Sequence, residues 1–326
     1  MAVLVTGGSG LVGLNIIEQL LDRGDPVVAF SLTPSPESAI ALFESLLGDL
    51  AVVDGDVRDG EIVDRLFRDH AIDRVIHGAA ITADDARARR CMRDIVEVNI
   101  LGTIEVLEAA RRHSVSRFIY ISSASVYGQS RYADTAVAET APALPEAVYG
   151  TTKFAAERMA LSYRSLWELD VVAVRPHAVF GRWEYDTGLR DLLSPPLQAT
   201  RLAVAGEQAV LPRADTRDWL YGADAARGIL ALLDLARPRY DVYNLASGDR
   251  WSMVDWCEKL AAAFPGFSCR LATTPGEANI DLYGDRDRAP LTTDRLADDA
   301  GFRAEFGLDA AFSDYIEWIR AHRIWR

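Results

Sequence analysis

Tyr149 and Lys153 stand four residues apart in Tyr149-Gly150-Thr151-Thr152-Lys153, where a polar, proline-containing loop gives way to an amphipathic stretch. At that spacing on a helix two side chains lie one above the other, so a phenol and an ammonium group are held as neighbours on rigid backbone. Such a pair is suited to moving a proton. A free tyrosine ionises near pH ~10, so a phenol acting as a base near neutrality needs its pKa lowered by roughly 3, worth about 4 kcal/mol, which a nearby cation supplies by favouring the phenolate. The residue type at 153 is telling, because of 35 basic residues only Lys153 and Lys259 are lysines. Arginine does not exchange its proton, whereas lysine is a compact charge whose pKa can be tuned. Tyr127 and Arg131 share the spacing without that chemistry and are set aside.

The elements that must position this pair begin at the other end of the chain. Residues 2–5 form a short, fully apolar strand of the kind buried on both faces of a parallel sheet. Thr6-Gly7-Gly8-Ser9-Gly10-Leu11-Val12-Gly13 follows, and Leu14, Ile16, Ile17, Leu20 and Leu21 then recur at helical spacing up to Gly24. Gly7, Gly10 and Gly13 at a strand-to-helix turn permit a tight turn, a close approach of backbone to a pyrophosphate, and close helix–strand packing. Leu11 and Val12 open the helix, whose free N–H groups and partial positive charge suit phosphates. This strand–turn–helix context implies dinucleotide binding. The second strand, 26–30, ends in Phe30, Ser31, Leu32 and Thr33 rather than in a carboxylate for the adenosine ribose, and no arginine is at hand for a 2′-phosphate. NAD is expected, with NADP left open.

Alternation continues with a helix over 36–46, a strand over 50–53, a helix over 60–69, a strand around Val75-Ile76, a long helix over about 90–112 and a strand over 117–122. This order predicts an α/β fold, a Rossmann-type doubly wound parallel sheet with right-handed crossovers. Asp56 and Val57 follow the third strand, where an adenine would lie. Ala79 and Ala80 follow His77-Gly78 at the end of the fourth, with small residues where backbone approaches a ligand. His77 itself reads as a strand-end histidine with its hydrogen bonds satisfied.

Composition narrows the class. A chain of 326 residues with 49% hydrophobic and 25% charged residues can bury a large core in one big domain or two that share an interface. Its net charge of −13 argues against nucleic acid and anionic membrane as partners. Cys91, Cys257 and Cys269 lack metal-ligand spacing, so no metal is expected, and they read as reduced thiols of a cytoplasmic protein. No apolar run approaches the ~18 residues of a membrane helix, and a strand starting at residue 2 leaves no room for a signal peptide.

Taken together, these residues resemble the extended short-chain dehydrogenase/reductases, the NAD-dependent epimerase/dehydratase group. The likeness rests on residues 6–13, Asp56-Val57, His77 to Ala80, Asn99 with Gly102-Thr103, the run Ser122-Ser123-Ala124-Ser125-Val126-Tyr127-Gly128, Tyr149 with Lys153, and Arg217-Asp218-Trp219. It implies that Tyr149 is the general acid or base at a substrate hydroxyl or carbonyl. Lys153 would lower its pKa and hold the nicotinamide ribose, Ser123 would hydrogen-bond the reacting oxygen, and Asn99 would anchor a helix irregularity or water near Lys153. Dehydratases of the family carry an acid just after the active-site serine or threonine. Here Ala124 and Ser125 stand in those places, which argues against dehydration. The resemblance also implies a homodimer through helices 90–112 and 149–166.

The second half defines the substrate less sharply. A buried strand over 171–174 leads into Arg175-Pro176-His177-Ala178, with alanine where the family usually has asparagine. Leu282 stands where an arginine is usual, while Arg217 matches an arginine that binds the nucleotide pyrophosphate. Arg182, Arg217, Arg286 and Arg288 suit a diphosphate, a monophosphate or a carboxylate equally, and Thr82 and His177 are expected to face the pocket. Arg87, Arg89 and Arg90 read as a solvated helix face. Residues 182–215 read as irregular, with helices over 223–236, 252–264 and 310–323 and a strand near 242–244. The expected division is a dinucleotide-binding domain over 1–175, with about 216–246 returning to it, and a smaller substrate domain from 176–215 and 247–326. The expected activity is hydride transfer at a secondary hydroxyl of a carbohydrate by a nucleotide-sugar epimerase. A net dehydrogenase or reductase of a free sugar, sugar acid or polyol is the alternative, and a non-catalytic dinucleotide sensor a third.

Overall fold

Short apolar strands alternate with helices that are apolar on one face, and each such face must be buried against a neighbouring layer. The computed structural model describes residues 1–322. In chain order the first half comprises β1 (Ala2–Thr6), α1 (Leu11–Asp22), β2 (Val27–Ser31), α2 (Glu37–Phe43), β3 (Leu50–Asp54), α3 (Gly60–Asp69), β4 (Ile72–His77), α4 (Asp85–Val96), α5 (Gly102–Arg112), β5 (Arg117–Ile121) and α6 (Val148–Trp167). There follow β6 (Val171–Pro176), β7 (Val179–Phe180), α7 (Pro195–Ala205), β8 (Gln208–Leu211), β9 (Arg217–Asp218), β10 (Leu220–Tyr221) and α8 (Gly222–Asp234). The chain closes with β11 (Val242–Leu245), β12 (Arg250–Trp251), α9 (Met253–Ala263), β13 (Ser268–Leu271), α10 (Asp294–Ala300) and α11 (Leu308–Ala321). Residue 323 of the expected last helix lies outside the described residues.

Seven strands form one parallel sheet in the order β11-β6-β5-β4-β1-β2-β3. The order reverses between β1 and β4, and a crevice opens there beyond the carboxyl ends of the strands. Strand β6 shows why the sheet is buried on both faces: Val171, Val172, Ala173 and Val174 are all fully covered. One face packs on α1, α8 and the C-terminal elements, the other on α3, α5 and α6. Phe180 on β7 ties the C-terminal elements to the first of these cores, its ring edge-on to Trp219, Trp251 and Trp256 at centroid distances of 5.4–6.1 Å. Among the described residues no helix is long and apolar enough to cross a membrane.

Two departures from the sequence reading have clear causes. Residues 182–215 are not irregular throughout, for they contain α7 and β8. Pro195-Pro196, in sequence a pair of helix breakers, occupies the first turn of α7, where no backbone N–H is required. The Ser194 hydroxyl caps that helix by accepting from Leu197 N at 3.2 Å. The long helix of 90–112 starts at Asp85, kinks at Cys91 (φ −132°, ψ 35°) and passes through a π-turn, Glu97–Leu101, before α5. Such single π-turns are frequent at functional sites.

Candidate active site

The glycine turn is built for an anion. Gly10 is the N-cap of α1 and no side chain caps the helix, so the first N–H groups, Leu11 and Val12 among them, open onto the crevice. Gly7 has φ +70°, and a Cβ there would sit 2.8 Å from Ala79 N; one on Gly13 would sit 2.3 Å from the Gly7 carbonyl. Side chains are excluded by backbone on both sides, which leaves a cradle fitted to a dinucleotide pyrophosphate. Ser31 borders it, but its hydroxyl accepts from Ser9 N at 2.8 Å and so fixes the turn. Asp56 and Val57 line the same crevice, with Ala79 and Ala80 opposite. Arg58 pairs with Asp56 at 2.6 Å and holds its carboxyl below the usual range.

Behind the turn runs a buried hydrogen-bonded chain. Thr103 Oγ1 donates to Asn99 O at 2.8 Å, so it accepts from His77 Nε2 at 2.9 Å, and Thr6 donates to Nδ1 at 2.7 Å. Both imidazole nitrogens are thereby used, and burial pushes the His77 pKa down to about 3. The ring is neutral and structural. Asn99 lies in the π-turn, where it accepts from Ile81 N at 2.7 Å and donates to Thr152 Oγ1 at 3.0 Å. It thus fixes the residue preceding Lys153.

Ser123, Tyr149 and Lys153 converge on one cavity of about 1070 Å³ that is continuous with the glycine cradle. Ser123 caps a 3-10 turn after β5, and α6 presents the other two. Burial holds the Tyr149 pKa above its usual value, and the polar groups around it, Ser123 foremost, offset this only in part, so the lowering expected of the phenol is not met in the absence of ligand. Lys153 behaves differently from expectation. Its ammonium sits 4.4 Å above the centre of the Tyr120 ring, and burial brings its pKa down to about 7, partly opposed by Glu157. It therefore holds its proton far less firmly than an exposed lysine.

Of the residues expected at the substrate, Thr82, Ser123, Arg217 and Arg288 line the cavity. Arg182 and His177 do not. Arg182 is drawn to Asp314 on α11, to which its Nε donates at 2.7 Å. His177 is buried in the strand-end turn, its Nδ1 2.7 Å from Asp218 O, and burial lowers its pKa to about 4. Arg217 is fully buried, with Nε donating to Asp215 at 2.8 Å, and Arg217 and Arg288 both donate to Tyr283 O, at 3.0 and 2.9 Å. Burial beside Arg217 and Arg131 holds the Arg288 pKa well below its usual value.

Arg190, Glu184, Tyr283 and Arg131 also line the cavity and are not singled out by any sequence motif. Arg131 shares its sequence spacing with Tyr127, but the Tyr127 hydroxyl is buried on Asn244 at 2.6 Å, and Arg131 alone reaches the cavity. Arg190 carries no motif, and the bridge to Thr82 together with its ion pair to Glu184 at 3.0 Å brings it in. Arg87 is not simply solvated either, because it clamps Asp191 at 2.7 Å.

A glycine cradle at the switch point of a parallel sheet, with a serine beyond the end of β5 and a tyrosine and lysine on α6 converging beside it, defines an extended short-chain dehydrogenase/reductase. The model of the NAD dependent epimerase/dehydratase family matches residues 3–246, and the chain belongs to that family. Its dinucleotide is therefore NAD. The chain is 30% identical to UDP-glucose 4-epimerase of Erwinia amylovora, covering 98% of this chain and 97% of that one. It is 28% identical to dTDP-glucose 4,6-dehydratase of Actinoplanes sp. over 100% and 99% of the two chains. A solved structure of MoeE5 in complex with UDP-glucose and NAD superposes with a TM-score of 0.79 at 26% identity, over 98% of this chain and 99% of that one.

These relatives overturn one expectation. Ala124 and Ser125 do not rule out dehydration, because full-length relatives at 28% identity are named dehydratases. The physical reason is that acid–base capacity does not end at those two positions: Asp84 and Glu146 also line the cavity.

Proposed function

We propose that this protein oxidises a secondary hydroxyl of a nucleotide-linked sugar and then reduces the resulting ketone on its other face, as a nucleotide-sugar epimerase. The observation that carries the reading is the cationic end of the cavity. Arg217 is buried there, with Asp215 as its paired carboxylate, and Arg288 is half-buried beside it and Arg131, in the same cavity as Ser123, Tyr149 and Lys153. Buried cations short of counter-charge call for an anion, and bidentate guanidinium groups suit phosphate oxygens. The 30% identical UDP-glucose 4-epimerase supports the same class of substrate. In this reading residues 1–175 and about 216–246 hold the dinucleotide, and 176–215 with 247–326 close on the sugar nucleotide.

When bound in the glycine cradle, the dinucleotide would supply reversible hydride exchange with the sugar carbon. The chain's own part is proton handling and placement. Tyr149 as phenolate takes the hydroxyl proton and later gives it back, Ser123 hydrogen-bonds the reacting oxygen, and Lys153 holds the nicotinamide ribose. A proton carrier placed within hydrogen-bond reach of that oxygen contributes roughly 10²–10⁴-fold.

The test begins by denaturing the purified protein and identifying released nucleotide by mass spectrometry, with stoichiometric NAD expected. The native protein is then incubated with UDP-glucose and with dTDP-glucose, and products are read by NMR. An epimer formed with no net NADH supports the proposal. A product that has lost one water assigns dehydration instead, and stoichiometric NADH build-up from either sugar rejects the closed cycle.

A further inference from the structure

We propose that Glu157 is a positioning residue for the proton transfer, its buried carboxylate setting the rotation and height of α6, and so of Tyr149, against the strand ends that carry Ser123. The proposal rests on Tyr149 and Ser123 acting as argued above.

Tyr149, Lys153 and Glu157 follow one another at intervals of four on α6, so their side chains leave one face of the helix. Lys153 is almost covered and Glu157 is fully buried. The Glu157 carboxylate meets two strand ends at once. Ser122, the residue before Ser123, follows β5 and donates its hydroxyl to Oε2 at 2.6 Å. From β6, Arg175 donates Nε to Oε2 at 2.9 Å and Nη2 to Oε1 at 2.5 Å, a bidentate pair. Arg175 is held in its turn, with its guanidinium 4.8 Å from the centre of the Tyr127 ring, and the Tyr127 hydroxyl donates to Asn244 on β11 at 2.6 Å.

Apolar packing sets how far α6 stands from the core, but does little for its rotation. Ala156 and Ala160, fully buried in the core that α6 shares with α5 and the sheet, present only methyl groups, and apolar burial has no direction. Hydrogen bonds do. A second contact shows how little slack the site has. A Cβ on Gly150, next to Tyr149, would sit 2.6 Å from Ser125 O, so the first turn of α6 rests on the 3-10 turn that Ser123 caps. Ser122 and Ser125 therefore touch α6 about two helical turns apart, and Ser123 lies between them in sequence. A small roll of α6 about its axis would move the phenol relative to the serine hydroxyl.

Stability alone does not account for the arrangement. A buried ion pair is often no more stabilising than apolar residues of like volume, because desolvation offsets the attraction. What the pair adds here is direction, applied one turn beyond Lys153 and two beyond Tyr149.

The test replaces the whole triad by apolar residues, Ser122→Ala, Glu157→Met and Arg175→Met together, which removes the directed bonds without leaving a buried charge unpaired. The NAD complex of this triple variant is expected to melt near the wild-type temperature and to hold NAD within a few-fold of wild-type affinity. Its kcat on the reacting sugar nucleotide should fall by on the order of 10²-fold with KM little changed. Added to Tyr149→Phe, the same triple should cost little further, since no proton carrier is left to place. Wild-type kcat in the folded triple overturns the proposal, and so does a loss that multiplies in full with that of Tyr149→Phe. If the triple does not fold, Ser122→Ala decides alone, with a fall of about tenfold expected and an unchanged kcat rejecting the inference. Crystal structures of the NAD complexes give a reading that needs no turnover. The separation of the Tyr149 and Ser123 oxygens is expected to change by more than about 0.5 Å from wild type, and an unchanged separation rejects the inference. Wild-type turnover in Tyr149→Phe would instead remove the premise.

Discussion

Tyr149→Phe lowers turnover by about 10²–10⁴-fold and leaves NAD affinity within a few-fold of wild type. The substitution removes one oxygen from a half-buried side chain on α6 and leaves the ring to fill the same space. What is lost is the phenol oxygen, on a residue that lines the same cavity as Ser123 and Thr82. The glycine cradle, formed by backbone at Gly7 to Gly13 and walled by Ala79, contains no part of that side chain. Steady-state rates on the sugar nucleotide found to react, together with calorimetric titration of NAD, separate the two effects. Wild-type turnover in the variant would remove Tyr149 from the mechanism.

Lys153→Met has the opposite signature, a gain in stability with a loss of turnover. Lys153 is 2% exposed, and burial brings its pKa from the usual 10.5 to about 7. The unfolded chain therefore binds more protons than the native one between those values, and stability rises with pH across that window. Below about pH 7 the full penalty of burying the ammonium is present; above about 10.5 it is gone. At pH 7 a displacement of this size corresponds to a cost on the order of 4 kcal/mol, which an apolar side chain of similar length avoids. Urea unfolding without NAD should find the variant more stable at pH 7, with the gap closing toward pH 10. A gap that does not change with pH would mean that burial does not hold the lysine near neutrality. The trade is familiar for active-site groups kept at a cost to stability.

The sheet and the reacting pair were legible from the sequence because both depend on local rules. Apolar runs such as Val171 to Val174 have no other use than a sheet buried on both faces, and a glycine turn between strand and helix is a local motif. The substrate end was less legible because it is assembled from a distance. Arg182 and His177 follow directly on a strand that points at the site, yet one is captured by Asp314, 132 positions later, and the other is sealed under Asp218. Arg190 goes the other way, from an unremarked loop into the cavity, because the backbone at Leu189 and Asp191 pairs with Thr82. Propensity likewise misled at Pro195-Pro196, where a breaker inside a helix becomes a starter in its first turn once Ser194 supplies the cap.

The scarcity of lysine gives the molecule an unplanned chemical handle. Apart from the amino terminus its amines are Lys153 and Lys259, and Lys259 is neutralised by Asp309 at the surface. Lys153, its pKa brought down to about 7 by burial and its side chain lining the cavity, is the more nucleophilic amine of the pair. A small acylating reagent should therefore label Lys153 in protein stripped of NAD and spare it when the cofactor is in place. One mass increment on one peptide would then count the sites left empty of cofactor, in any mixture and without an activity assay.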